Sequence, residues 1–414
     1  MLALASASLI FASSYLPLCS VLLIFIYQMS VKNAPSMPSF SDYYFTSWRG
    51  VLLASFALSL FASLVYSLVF KLKIRWRDIK SLPNIKSACI LSAAFLLNGA
   101  FSGEWLWQSL AYGALQIVSF FLIGYIFLIA FRGLGREHLL DYFTCLCAAI
   151  ALVLVLETVN LYLFGGVVSG GEAQKGLVLY GWGIWTTAGM DMAVLIPVLF
   201  LGALRSRRQA LYLLLAHATY ISSLLTLSRN ALTFATLALA VSAALYIRYA
   251  DNARPLLRVY IGVGILVIFA LPLYVDDLSL LFSDLLNRGF SDNGRFALWK
   301  YGLDSFLDAP LFGKGFFALE TDTFRAENFF PPMLHNTAVQ LLASMGLFGF
   351  FAYSFYRVNM LRSLIKRIDY EGAFLLVSML TLLFMSLFDN FVFHVQPMFL
   401  FSAEYAILWS VSKN

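Results

Sequence analysis

Apolar residues fall along this 414-residue chain in blocks of about 20, separated by short polar runs. A helix of about 20 residues spans the roughly 30 Å hydrocarbon core of a bilayer. The blocks lack the ten-residue alternation of an outer-membrane barrel. They place spans at residues 4–27, 51–70, 88–102, 108–131, 142–164, 184–204, 209–226, 231–247, 259–274, 336–356, 371–388 and 396–411. The third is short, and the Gly99–Gly103 stretch followed by Glu104 allows a break within a re-entrant pair, so eleven to thirteen crossings stay open. The expected fold class is all-α: a polytopic membrane protein with about twelve transmembrane helices and one large loop of short helices. Its parts are helices one to nine (1–274), the loop (275–335) and helices ten to twelve (336–414), in a single integral membrane domain. The N-terminus enters an apolar stretch without a basic leader, so it reads as the first span and not as a cleaved signal.

The positions of the basic residues orient these spans. The loops after spans two, four, six, eight and ten, with the tail, hold 19 of the 28 Lys and Arg. The richest carries Lys71, Lys73, Arg75, Arg77, Lys80 and Lys86. The positive-inside rule puts these loops and both termini in the cytoplasm, and the 275–335 loop on the far side of the membrane. With 61% hydrophobic and 12% charged residues, a water-soluble fold is excluded. The net charge of +6 comes from short runs between apolar blocks, which topology alone explains, so nucleic acid is not an expected partner. Cys19, Cys89, Cys145 and Cys147 all fall inside spans, which supports neither a disulfide framework nor a zinc site.

The loop departs from this pattern. It holds five basic residues that topology does not require (Arg288, Arg295, Lys300, Lys314, Arg325), nine acidic residues and many aromatics. It is too long for a connector and too apolar for disorder, so an ordered cap of short helices on the membrane surface is expected.

Four sequence features bracket this cap: Ser228-Arg229-Asn230 at the outer tip of spans seven and eight, Gly294-Arg295-Phe296-Ala297-Leu298-Trp299, Pro310-Leu311-Phe312-Gly313-Lys314-Gly315, and His335-Asn336 opening a helix with Leu341, Gly346 and Gly349. In this order and on this side, they resemble the O-antigen ligase and O-antigen polymerase superfamily, membrane glycosyltransferases of the GT-C type. The motif resemblance covers about 225–353; the rest agrees in topology only. It implies an undecaprenyl-diphosphate-linked oligosaccharide or polysaccharide as donor and no cofactor. The acceptor would be a hydroxyl on lipid A-core, for a ligase, or on a lipid-linked repeat, for a polymerase. An arginine that some relatives carry between 177 and 189 has no counterpart here.

Departure of a lipid diphosphate develops negative charge, which planar guanidinium groups suit. Arg229 and Arg295 are the expected catalytic cations. From the residues alone, Arg229 reads equally as an interfacial snorkelling side chain and Arg295 as half of a surface ion pair with Asp292 or another loop acid. His335 follows Pro331-Pro332 at a helix start, where a neutral imidazole can take the acceptor hydroxyl's proton; it also reads as a cap or packing residue. Asn336 is a natural N-cap and a possible substrate contact. Lys314 is a further candidate contact, and Gly313 and Gly315 are candidates for amides against phosphate or for a simple turn. Glu157 and Asp191, carboxylates within spans, are expected to line a polar cavity, and Glu404 to pair with a neighbouring helix. His394 and Asp389 face the same side. No metal ligand set is expected. The competing function is a transporter or flippase of lipid-linked sugars, for which twelve spans and buried carboxylates would serve.

Overall fold

The apolar blocks are helical wherever the computed structural model describes the chain: residues 82–411, apart from 101–104, 132–134, 166, 170–171, 174–178, 181–182, 288–293, 320–331 and 367. The first two expected spans and Cys19 lie outside the described residues. In chain order the helices are α1 (Ile85–Ala100), α2 (Leu106–Ile117), α3 (Ile123–Ala130), α4 (Arg136–Phe164), α5 (Trp185–Arg205), α6 (Gln209–Leu225), α7 (Arg229–Tyr249), α8 (Arg254–Asn287), α9 (Arg295–Asp308), α10 (Thr337–Ile365), α11 (Tyr370–Met385) and α12 (Val395–Val411). A π-helical turn, Val118–Leu122, joins α2 to α3, which together fill the fourth expected span. The fold class is all-α. Between α4 and α5 lie two antiparallel pairs of two-residue strands, Val168–Ser169 with Glu172–Ala173 and Leu179–Tyr180 with Gly183–Ile184.

Among the described residues, five helical stretches are long and apolar enough to cross a membrane: Leu106–Tyr125, Arg136–Phe164, Trp185–Arg205, Arg229–Tyr249 and Thr337–Ile365. Three shorter apolar helices, Ile85–Asn98, Gln209–Leu225 and Tyr370–Met385, coincide with further expected spans.

Helix α5 is buried on every side without a gap from Thr187 to Ala203 and is apolar there apart from Thr187 and Asp191, the position of a core helix. It packs against α4, α6, α7 and α11. Its approach to α7 is close because residue 189 is glycine: a Cβ there would sit 2.5 Å from Ala231 Cβ. Small residues allow such contact between helices where no hydrophobic force drives them together.

The opposite end of this group, at the α5 C-terminus and the α4 and α11 N-termini, holds an ion network. Arg205 pairs with Glu137 (2.7 Å), Asp141 (2.9 Å) and Glu371, and Arg136 pairs with Glu371 (2.6 Å) and Asp369. Asp369 also caps α11 by accepting from Gly372 N (2.7 Å). Arg357 corrects the charge reading: the tenth span was expected to end before it, but it lies inside α10, buried. Its guanidinium carbon is 4.8–5.7 Å from the rings of Phe120, Phe401, Tyr353 and Tyr356. The aromatic faces supply the favourable electrostatics that a counter-ion otherwise would.

Helix α8 runs on past residue 274 to Asn287, so the ninth span and the start of the expected loop are one helix. The loop's described helix is α9, which packs on α10 through a small cluster of Tyr301, Leu319, Leu334, Val339 and Ala343. After α9 the chain makes an unusual joint with α10. Helix α10 is broken at Gly346, whose φ is +62. The segment 310–315 docks into that break: Lys314 N donates to Ala343 O (3.0 Å), Gly315 N to Ser344 O (3.0 Å), Leu347 N to Pro310 O (2.9 Å) and Phe348 N to Leu311 O (3.1 Å). The backbones approach so closely that a Cβ on Gly313 would lie 2.3 Å from Ser344 C, and one on Gly346 2.5 Å from Leu311 C. Phe316 and Phe317 then enter the bundle, with ring contacts to Tyr112 (4.9 Å), Phe393 (5.5 Å) and Trp105 (6.2 Å).

Candidate functional site

The turn between α11 and α12 collects contacts from three other helices. The eleventh span was expected to reach 388, but α11 ends at Met385. The carbonyls that follow are therefore free of helix bonding and available as acceptors. Asn230, the second residue of α7, donates from Nδ2 to Met385 O (3.1 Å). Thr337, first in α10, donates from its hydroxyl to Ser386 O (2.7 Å). Arg295, first in α9, donates from Nη1 to Phe388 O (2.8 Å). The N-termini of α7, α9 and α10 thus meet at residues 385–390, at the end of the bundle away from the Arg205 network.

At the centre of this convergence, His335 Nδ1 lies 2.9 Å from Asp389 Oδ1. Asp389 is buried, at 6% exposure, while the His335 side chain is 37% exposed. A buried carboxylate on Nδ1 fixes the proton there and leaves Nε2 as the basic nitrogen of this partly exposed ring. His335 also has φ +51, a left-handed conformation uncommon for a residue with a side chain. Strain of this kind persists where surrounding structure enforces it, and it concentrates at functional sites. Asn336, beside it, is the N-cap of α10: its side-chain oxygen accepts from Val339 N (3.0 Å). Of its two expected roles, the structure displays the cap.

Burial alone would raise the Asp389 carboxyl. The hydrogen bond and charge of His335, with the Asn390 amide donating at 2.9 Å, outweigh burial and hold it below the ordinary carboxylate value. His394, at the start of α12, stands near enough to feel both charges. Burial lowers it below the ordinary imidazole range, Asp389 partly offsets that, and His335 adds to it.

Arg229 opens α7, half-buried, after the N-cap Ser228, whose hydroxyl accepts from Ala231 N (3.3 Å). Its neighbour Asn230 reaches the collecting turn, so Arg229, Arg295 and His335, spread over more than a hundred residues of sequence, come to one end of the bundle. Asp292 lies outside the described residues, and the Arg295 contact described is a backbone carbonyl.

The other candidates are placed differently. Lys314 pairs through Nζ with Asp308 (2.6 Å). The Gly313 amide donates to Ala309 O at the end of α9, and those of Lys314 and Gly315 to Ala343 O and Ser344 O of α10, so all three are already engaged by main-chain carbonyls. Glu157 is half-buried on α4, and Asp191 is fully buried inside α5. The residue that sequence reasoning left without a role is Asp389. Its only signal there was a carboxylate on the same side as His335; their pairing needs the fold.

Residues 211–354 match the family model described as O-antigen ligase. The matched stretch contains Arg229, Arg295 and His335 and stops short of the 385–390 turn. No curated protein matches the chain.

Proposed function

By its residues 211–354 the chain belongs to the O-antigen ligase and polymerase superfamily, and from that premise we propose that it is an inverting, metal-independent glycosyltransferase of the bacterial inner membrane. Its donor is an undecaprenyl-diphosphate-linked glycan, and its active site is periplasmic. The observation that carries this reading is the His335–Asp389 pair with Arg295 bonded one residue away, at the end of the bundle opposite the basic residues Arg205, Arg248 and Arg362. The positive-inside rule supports a periplasmic position for that end.

In this mechanism His335 Nε2 takes the proton of an acceptor hydroxyl. The freed oxygen attacks the anomeric carbon from the face opposite the diphosphate. The new C–O bond forms as the bond to the diphosphate oxygen breaks, and undecaprenyl diphosphate leaves with the electron pair. Asp389 stabilises the imidazolium that results, as a buried carboxylate does in other proton-transfer pairs. Arg295 and Arg229 meet the charge that grows on the leaving group. Of the two carboxylates within spans, Glu157, half-buried on α4, is the one left to line a polar approach, since Asp191 is fully buried inside α5.

The test is a reconstituted reaction of purified chain with undecaprenyl-diphosphate-linked oligosaccharide, offered lipid A-core or further lipid-linked repeat, with EDTA throughout. Product on lipid A-core identifies a ligase, and a ladder of longer lipid-linked chains a polymerase. Folded protein that transfers to neither refutes the proposal and favours a transporter.

A further inference from the structure

Gln340 lies in the first turn of α10, five residues after His335, and is fully buried. Its carboxamide makes four hydrogen bonds. Oε1 accepts from Leu334 N (2.8 Å) and Asn390 Nδ2 (3.0 Å), and Nε2 donates to Pro332 O (3.2 Å) and Ser344 Oγ (3.1 Å). A primary amide has two donors and an oxygen with two lone pairs, so every capacity is used. The orientation is fixed as well, since Leu334 N–H can only donate and must face the oxygen. Burying such a group is costly unless it is fully bonded, and packing alone would be served by an apolar side chain.

Three of the four partners flank the candidate pair. Pro332 and Leu334 precede His335, and Asn390 follows Asp389. We propose that Gln340 is a positioning residue that ties these two segments together and so sets the His335 imidazole at hydrogen-bonding distance from Asp389. This rests on the reading of His335 as the proton acceptor. The left-handed backbone of His335 is the local conformation that this tie enforces.

The substitution Gln340→Met keeps volume and removes both donors and the carbonyl acceptor. In the full chain in lipid nanodiscs, with undecaprenyl-diphosphate-linked oligosaccharide as donor, kcat falls on the order of 100-fold while KM for the donor stays within about twofold. Combined with Asp389→Asn, the loss is smaller than the product of the separate losses, because both act on one imidazole. An unchanged kcat in folded Gln340→Met, or losses that multiply, overturns the inference. Should Gln340→Met yield no folded protein, Asn390→Ala, which cuts the arm toward Asp389 together with a contact to Met333 Sδ (3.5 Å), is judged by the same two criteria. His335→Ala run in parallel separates the levels. If it stays active, the reading of His335 fails; if it is inactive while Gln340→Met is fully active, the positioning role alone fails.

Discussion

At the scale of single residues, the chemistry divides between a cation that meets leaving-group charge and an imidazole held by a carboxylate. Arg295→Ala removes a charged donor from the site, and kcat in the reconstituted assay is expected to fall about 100-fold or more, as for other lost transition-state donors. Arg295→Lys recovers part of this, since it restores charge without the planar fork. The titrating groups also predict a pH profile of stability. The folded-state value of Asp389 is lowered, so its contribution is present at neutral pH and is lost as pH falls through the acid end of the carboxylate range. His394 is lowered too, so the fold disfavours its protonation, and stability declines as pH drops below about 6.5, the ordinary imidazole value. Both shifts have the same sign. Thermal unfolding in detergent should weaken in two stages on acidification, and His394→Asn should diminish the first; a first stage unaltered by His394→Asn would contradict it. Arg229, Arg295 and His335 were legible as candidates because their motifs sit at helix starts on one side. The role of Asp389 was not, because the pairing depends on where α11 stops.

Among elements, helices were the most legible feature, since block length and apolarity set them locally. The break in α10 was not legible. Met345-Gly346-Leu347 reads as uninterrupted helix, and only the docked 310–315 segment, which supplies partners for the carbonyls and amides on either side, makes a positive φ at Gly346 tolerable. Gly313 and Gly315 were read as a turn or a phosphate cradle; the turn is present, and its purpose is this joint. Gly346→Ala forces a side chain into both a left-handed conformation and the Leu311 backbone. The conformation alone costs about 1–3 kcal/mol, and the steric conflict adds to it. A clear fall in melting temperature is expected, and an unchanged one would mean that the joint contributes nothing to the fold.

On the scale of the whole molecule, the two ends of the bundle do different work. One end gathers the candidate chemistry; the other is fixed by ions. Arg205 is 8% exposed on its side chain and Glu371 5%. Glu371→Ala leaves Arg205 with two exposed partners and Arg136 with the half-buried Asp369, and should cost about 1–3 kcal/mol. Activity per folded molecule should be unaltered, because the α7, α9 and α10 starts are untouched. Loss of specific activity in folded Glu371→Ala would instead show that the two ends communicate. Charge counts located this end, but they also placed Arg357 in the connecting loop, because composition cannot show that four rings shelter it within α10.

The turn at 385–390 receives three of its contacts through main-chain carbonyls, from Asn230, Thr337 and Arg295. Those contacts register spacing and are indifferent to spelling. Exchanging the side chains of Leu387 or Phe388 for other apolar ones leaves every acceptor in place. A single residue inserted between Met385 and Asp389 shifts the carbonyls out of phase with three helices at once and carries the carboxylate away from His335. At this turn, a change of length is far more damaging than a change of letter.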